Sequence, residues 1–187
     1  MRKFFIGSLT LAVFTLCATS VLAQDNRRRQ PHTGSEAVGF EVGAFVPNDD
    51  QFDSDLLVNG LFEYYLTPRV SLRTEFGITD PGHAREPADS LRQVPLRLDV
   101  NYNWEGGVLH PFVGAGVGAY FLRNKDNGRP FGQTFTEPGI NLQGGLEYFL
   151  NRRVTLKGEA RYHRIDSLPG GPDPSGWALT LGMKRYY

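Results

Sequence analysis

The run His163-Arg164-Ile165-Asp166-Ser167 places a histidine and a serine four positions apart with a carboxylate between them. Those are the parts of a nucleophilic acyl hydrolase. The spacing works against that chemistry. His163 ends a stretch of strand-like alternation, and residues four apart on a strand are separated by roughly 13 Å, beyond hydrogen-bond reach. Read without catalysis, His163 is an interior side chain that hydrogen-bonds a neighbour such as Glu147. Gly114, Gly116 and Gly118 suggest a phosphate loop, but that loop needs Gly-x-Gly-x-x-Gly at a strand-to-helix turn, and these glycines continue a strand. Asp49, Asp50, Asp53 and Asp55 are dense enough to attract a divalent cation, yet lack the spacing of a calcium loop. His32, His83, His110 and His163 occur singly. The expectation is therefore no catalytic residue, no cofactor and no metal, and a chain that is not an enzyme.

What the sequence does carry is alternation. Val94, Leu96, Leu98, Val100, Tyr102 and Trp104 share one parity, with Arg97, Asp99, Asn101 and Asn103 on the other. A strand has period two, so the two sets face different environments. Similar stretches begin near Ala37, Leu57, Val70, Pro111, Ile140, Val154 and Gly176, giving eight in all. Their polar parity holds six acids (Glu41, Glu63, Glu75, Asp99, Glu147, Glu159) and five bases (Arg73, Arg97, Lys157, Arg161, Lys184). Buried charges are tolerated when paired, and eight strands enclose a lumen that side chains can fill. These residues are expected to form an interior charge network that closes the lumen to ions. The alternate glycines from Gly114 to Gly118 would leave room for it.

The connections alternate long and short: 47–56, 67–69, 80–91, 105–110, 123–136, 151–153 and 166–175. Membrane barrels combine long external loops with short periplasmic turns. At the start, Arg2 and Lys3 precede an apolar run, Phe4–Leu16, and Val21-Leu22-Ala23 has the small-residue character of a cleavage site. Residues 1–23 are thus read as a signal peptide cut after Ala23, residues 24–36 as a polar lead-in containing Arg27-Arg28-Arg29, and residues 37–187 as the barrel domain. Cys17, the single cysteine, leaves with the leader, which excludes disulfides and thiolate metal sites from the mature chain. The leader also removes two bases, so 20 acids face 18 bases for a net charge of about −2, unlike the basic footprint of a nucleic-acid binder. The 22 glycines and the 12% aromatic content suit an all-β body.

The stretch Pro111-Phe112-Val113-Gly114-Ala115-Gly116-Val117-Gly118-Ala119-Tyr120 resembles the glycine-alternating strand of small outer-membrane β-barrels of the OmpA/OmpX-like kind. The last strand, with Trp177, Leu179, Leu181, Met183 and Tyr187 on one parity, resembles the C-terminal aromatic signal read by the outer-membrane assembly machinery. It departs from that pattern in ending on Tyr187 and in placing Arg185 on the apolar parity. The resemblance implies an all-β, eight-stranded antiparallel up-and-down transmembrane barrel in the bacterial outer membrane. Outer-membrane lipid, lipopolysaccharide and the assembly machinery are its expected partners, and the protein is expected to be a monomer. Its role would be structural or one of surface interaction, centred on loop 123–136 with Arg123, Lys125, Arg129, Phe131 and Phe135. Two alternatives remain: a lipid A deacylase-like enzyme using His163, and a soluble lipocalin-like barrel with its apolar parity turned inward.

Overall fold

A computed structural model describes residues 31–84, 89–104, 107–166 and 173–187. The leader, its cleavage at Ala23, Cys17, the triple arginine and Ser167 lie outside the described residues. The strands are β1 (Glu36–Pro47), β2 (Asp55–Tyr65), β3 (Val70–Ile78), β4 (Ser90–Asn103), β5 (Leu109–Asp126), β6 (Arg129–Pro130), β7 (Phe135–Phe149), β8 (Val154–Ile165) and β9 (Gly176–Tyr186). Eight of them are long; β6 is a two-residue addition to the end of β5. Each long strand pairs antiparallel with its neighbours, and β9 returns to β1 from Ala37↔Tyr186 to Pro47↔Gly176. The sheet is a closed eight-stranded barrel, which leaves no long edge exposed.

The apolar parity faces outward. Leu181, Phe76 and Leu142 are 72%, 65% and 63% exposed, whereas Glu63, Arg73, Glu75 and Asp99 are fully buried. A lipocalin requires the opposite arrangement, so the soluble ligand-binding reading is set aside. Lysine at Leu98 or Leu142, both on the outer face at mid-strand, is expected to lower stability by about 2–4 kcal/mol, read from urea titrations in lipid vesicles. From sequence, the same change at Asn101 or Gln143 should be milder. The packed interior removes that contrast, because Asn101 is fully buried and bonded to both Glu63 and Gln143.

At the short-turn end, Thr67 Oγ1 accepts from the Val70 amide at 2.9 Å and Asn151 Oδ1 from the Val154 amide at 3.0 Å. These side-chain turns reverse the chain in few residues. The long-loop end holds a difference from the sequence expectation. Loop 123–136 is partly strand, since β5 continues to Asp126, β6 pairs with it, and β7 starts at Phe135. The reversal occurs at Asn127-Gly128, with φ of 50° and 73°. Positive φ at both positions gives the hairpin turn that suits the twist of its strands. Loop 80–91 is likewise shortened, because β4 begins at Ser90.

Candidate functional site

The inward parity of β1, β2, β3, β4, β7, β8 and β9 delivers all eleven of the charged residues picked out above into the lumen, none more than 7% exposed. Glu75 lies at the centre. It accepts from Arg97 and Arg161, each at 2.7 Å, and meets Arg73 at 3.4 Å and Lys157 at 4.0 Å. Arg161 also reaches Asp99 at 3.1 Å and Glu159 at 2.8 Å. Arg73 donates to Glu159 at 2.8 Å and approaches Glu63 at 3.4 Å. Lys157 binds Glu159 at 2.7 Å and also Glu41. Lys184 joins Glu63 at 2.5 Å and Glu147. Arg73 and Lys157 also stand over the Phe112 ring, at 5.1 and 5.2 Å from its centroid, a favourable cation–π placement.

The glycines of β5 make this crossing of the lumen possible. Arg97, Asp99 and Asn101 of β4 lie in register with Gly118, Gly116 and Gly114. A Cβ at Gly116 would stand 1.9 Å from Asp99 Oδ1, and one at Gly114 would stand 2.0 Å from Asn101 Oδ1. Over that bare strand, Asn141 of β7 donates to Asp99 at 2.9 Å and Gln143 to Asn101 at 2.5 Å. The bonds join strands that are not neighbours in the sheet.

Apolar layers close the network at both ends. Ala37, Tyr65, Val108, Phe149 and Tyr186 cluster at the short-turn end, where Tyr186 donates to Glu147 at 2.8 Å and stands 3.0 Å from the Tyr65 hydroxyl. At the other end, Phe52 joins Leu91, Tyr120, Leu122 and Ile165. Phe52 comes from the β1–β2 loop, which bridges to His83 of the next long loop with ring centroids 4.6 Å apart. The sequence reading missed these aromatic caps. Tyr120 shares parity with the glycines, which was the available signal; for Phe52, in a loop, there was none.

His163 lies inside the barrel, 2% exposed, with Nδ1 at 2.8 Å from the Tyr120 hydroxyl and its ring edge-on to Phe45. Its expected neighbour Glu147 is not its partner. Glu147 pairs in register with Lys157 and His163 with Asn141, six residues or roughly 20 Å along the strand. Asp166 points to the opposite face of the barrel from His163. The described residues therefore do not bring His163 together with Glu147 or Asp166 for hydrolysis.

Among the described residues, one group of carboxylates converges closely enough for a metal: oxygens of Glu41, Glu75 and Glu159 lie within 4.8 Å of one another. Protein cations already fill that role, because Lys157 binds Glu41 and Glu159 while Arg161 binds Glu75 and Glu159. The loop aspartates do not converge. Asp49 accepts from the Gln51 amide at 2.9 Å, and Asp55 from the Asp80 amide at 2.6 Å.

The external hairpin is tied down at Asp80, which accepts from Ser90 at 2.8 Å, Arg92 at 3.2 Å and Lys125. Partial burial works to raise its pKa. The hydrogen bonds from Lys125 and Ser90, with the Lys125 charge and Arg92, outweigh that and hold it below the ordinary aspartate value. A carboxyl depressed in the folded state stabilises above its unfolded pKa and loses that contribution as pH falls through the folded one. A spin label at Arg129→Cys should thus be restrained at pH 7 and gain mobility below roughly pH 4. Asp80→Asn should free it at neutral pH; equal mobility in both proteins at pH 7 would count against the tether.

The model of the outer membrane protein beta-barrel domain family matches residues 9–184. No curated protein sequence matches. Among solved structures, OprG from Pseudomonas aeruginosa aligns with a TM-score of 0.67 at 16% identity, covering 84% of this chain and 98% of that one. Neisserial surface protein A aligns at 0.65 and 12% identity, covering 81% and 95%. Ail of Yersinia pestis aligns at 0.58 and 11%, covering 82% and 99%. With its closed sheet, outward apolar face and long-short loop alternation, the chain belongs to the outer-membrane β-barrel domain family and is a protein of the Gram-negative outer membrane.

Proposed function

We propose that this barrel is non-conducting and non-enzymatic, and that it acts at the cell surface through its external loops. The observation that carries the reading is the lumen. Paired charges span it between two apolar layers, and breaking such pairs to admit an ion would strand buried charge. The loop reading rests on the β5–β6 hairpin. Lys125 is committed to Asp80, while Arg123 and Arg129 are exposed with no ion pair among the described residues, beside exposed Phe131 and Phe135. Exposed guanidinium and aromatic groups suit contact with an anionic partner. The structure of Ail has been solved in complex with the heparin analogue sucrose octasulfate, at 12% identity and a TM-score of 0.54.

The outward row Trp177, Leu179, Leu181, Met183 and Tyr187 is proposed as the assembly signal; all five are exposed on the lipid side. Arg185 shares that side and sits over the Tyr187 ring at 5.3 Å, where its long stem can carry the charge to the interface. Planar-bilayer recording of the purified protein tests the central claim. No stable single-channel steps are expected, with or without residues 124–131. Reproducible steps from the intact protein would overturn the closed reading, as lipid A deacylation lost in His163→Ala would overturn the non-enzymatic one.

A further inference from the structure

The chain contains two Asn-Gly pairs, Asn59-Gly60 and Asn127-Gly128. In such a pair the glycine amide nitrogen can attack the asparagine side-chain carbonyl, since no side chain on the glycine shields it. Asparagine is thermolabile for this reason. As sequence the two pairs are alike; in the structure they differ. Asn59 lies mid-strand in β2, in register with Glu41 on one side and Gly77 on the other, and is 3% exposed. Its side chain packs over Gly77, where a Cβ would stand 2.0 Å from Asn59 Oδ1. Cyclisation there would require β2 to leave the sheet.

Asn127-Gly128 is the opposite case. Both residues are exposed at the tip of the β5–β6 hairpin, and the space beside Gly128 is open, with nothing within 4 Å of a Cβ placed there. The Gly128 amide makes no hydrogen bond among the described residues. Only two register pairs close the tip, Asp126↔Arg129 and Lys125↔Pro130, and Pro130 brings no N–H to the ladder. A two-stranded extension of this kind frays at little cost, whereas a core strand opens only with the whole fold. The Asn127 side chain donates from Nδ2 to Asp126 Oδ1 at 2.6 Å, a bond between exposed neighbours that fraying releases.

We infer that Asn127 is a site of spontaneous deamidation, and that the folded barrel confines this chemistry to the external hairpin. The Gly128 nitrogen bonds to Asn127 Cγ, the Cγ–Nδ2 bond breaks, and ammonia leaves with the proton of the Gly128 amide. Water then opens the cyclic imide. Attack at the side-chain carbonyl leaves aspartate; attack at the backbone carbonyl leaves isoaspartate, whose main chain is longer by one carbon. Either product sets a new carboxylate beside Asp126, close in sequence to Lys125 and Arg129, so the hairpin becomes less cationic as the protein ages. The two-residue turn has no room for the added carbon, and the isoaspartyl form loses the β5–β6 pairing. The site depends on the hairpin's geometry and not on what the hairpin contacts.

Peptide mapping by mass spectrometry tests this, on the refolded protein held for days in mildly alkaline buffer. Asn127 should convert roughly a hundredfold or more faster than Asn59, because opening β2 costs the stability of the barrel. In urea the two should convert at similar rates, which isolates the fold as the source of the difference. A spin label at Arg129→Cys should gain a mobile fraction that grows with the isoaspartate content. Asn127→Gly removes the side-chain amide and suits positive φ, so in that background the label should stay restrained throughout. Equal conversion of Asn127 and Asn59 in the folded protein would overturn the assignment. So would an Asn127 that stays intact in the barrel while the unfolded chain converts.

Discussion

Glu75→Ala is expected to destabilise the barrel by about 3–5 kcal/mol, the range for removing one partner of a buried ion pair. Four cations converge on this carboxylate within 4.0 Å, and Arg97 has its closest ion pair there, at 2.7 Å. Without Glu75, Arg97 keeps its charge in a dry interior with no other carboxylate within 4.0 Å among the described residues. Arg161 still has Asp99 and Glu159, so the stranded charge is chiefly that of Arg97. Adding Arg97→Met to Glu75→Ala should therefore recover a sizeable part of the loss, because the pair is then removed together. Urea unfolding in vesicles measures both variants. A loss below about 1 kcal/mol, the size of an exposed pair, would mean that water reaches the network.

Gly116→Val should be comparably severe. Its Cβ would meet Asp99 Oδ1 at 1.9 Å and the Leu98 carbonyl oxygen at 2.5 Å, and backbone cannot step aside in a paired sheet. Overpacking alone costs about 1–3 kcal/mol. Displacing Asp99 adds the loss of its bonds to Arg161 and Asn141. Gly144 supplies the control on the neighbouring strand, where a Cβ would find nothing closer than 3.5 Å. Gly144→Ala should stay within about 1 kcal/mol of the unaltered protein. Similar losses at both positions would show that the glycines serve backbone freedom and not clearance for side chains.

The period-two pattern made the strands and their faces legible, since Val94 through Trp104 sorts itself by polarity and the register only has to respect it. Balanced charge on one parity pointed to mutual neutralisation. Which acid meets which base was not legible. Arg161 of β8 reaches Glu75 of β3 across the lumen, and that depends on closure and on the stagger of the sheet, neither of which is written in any local stretch. His163 shows the same limit: its partner Tyr120 is 43 residues away, at the end of a glycine-rich run with no local link to it. The Asn127-Gly128 turn was in plain view as a hairpin signal. It was obscured because the residues around it are polar and resemble an ordinary loop.

The join between β1 and β9 bears on how the molecule comes apart. Glu41 of β1 is held by Lys157 and by Thr180, 116 and 139 residues away, and Lys184 of β9 is held by Glu63 of β2. Such distant contacts form late, after most of the chain has been ordered. The same groups must separate first if the cylinder is to open, and each would emerge charged into hydrocarbon or a half-formed lumen. The unfolding barrier is raised accordingly, so the protein should persist for a time set by the rate of that opening more than by its equilibrium stability. Slow heat-dependent conversion of its gel mobility is the expected outcome, and the rate of that conversion is what checks it.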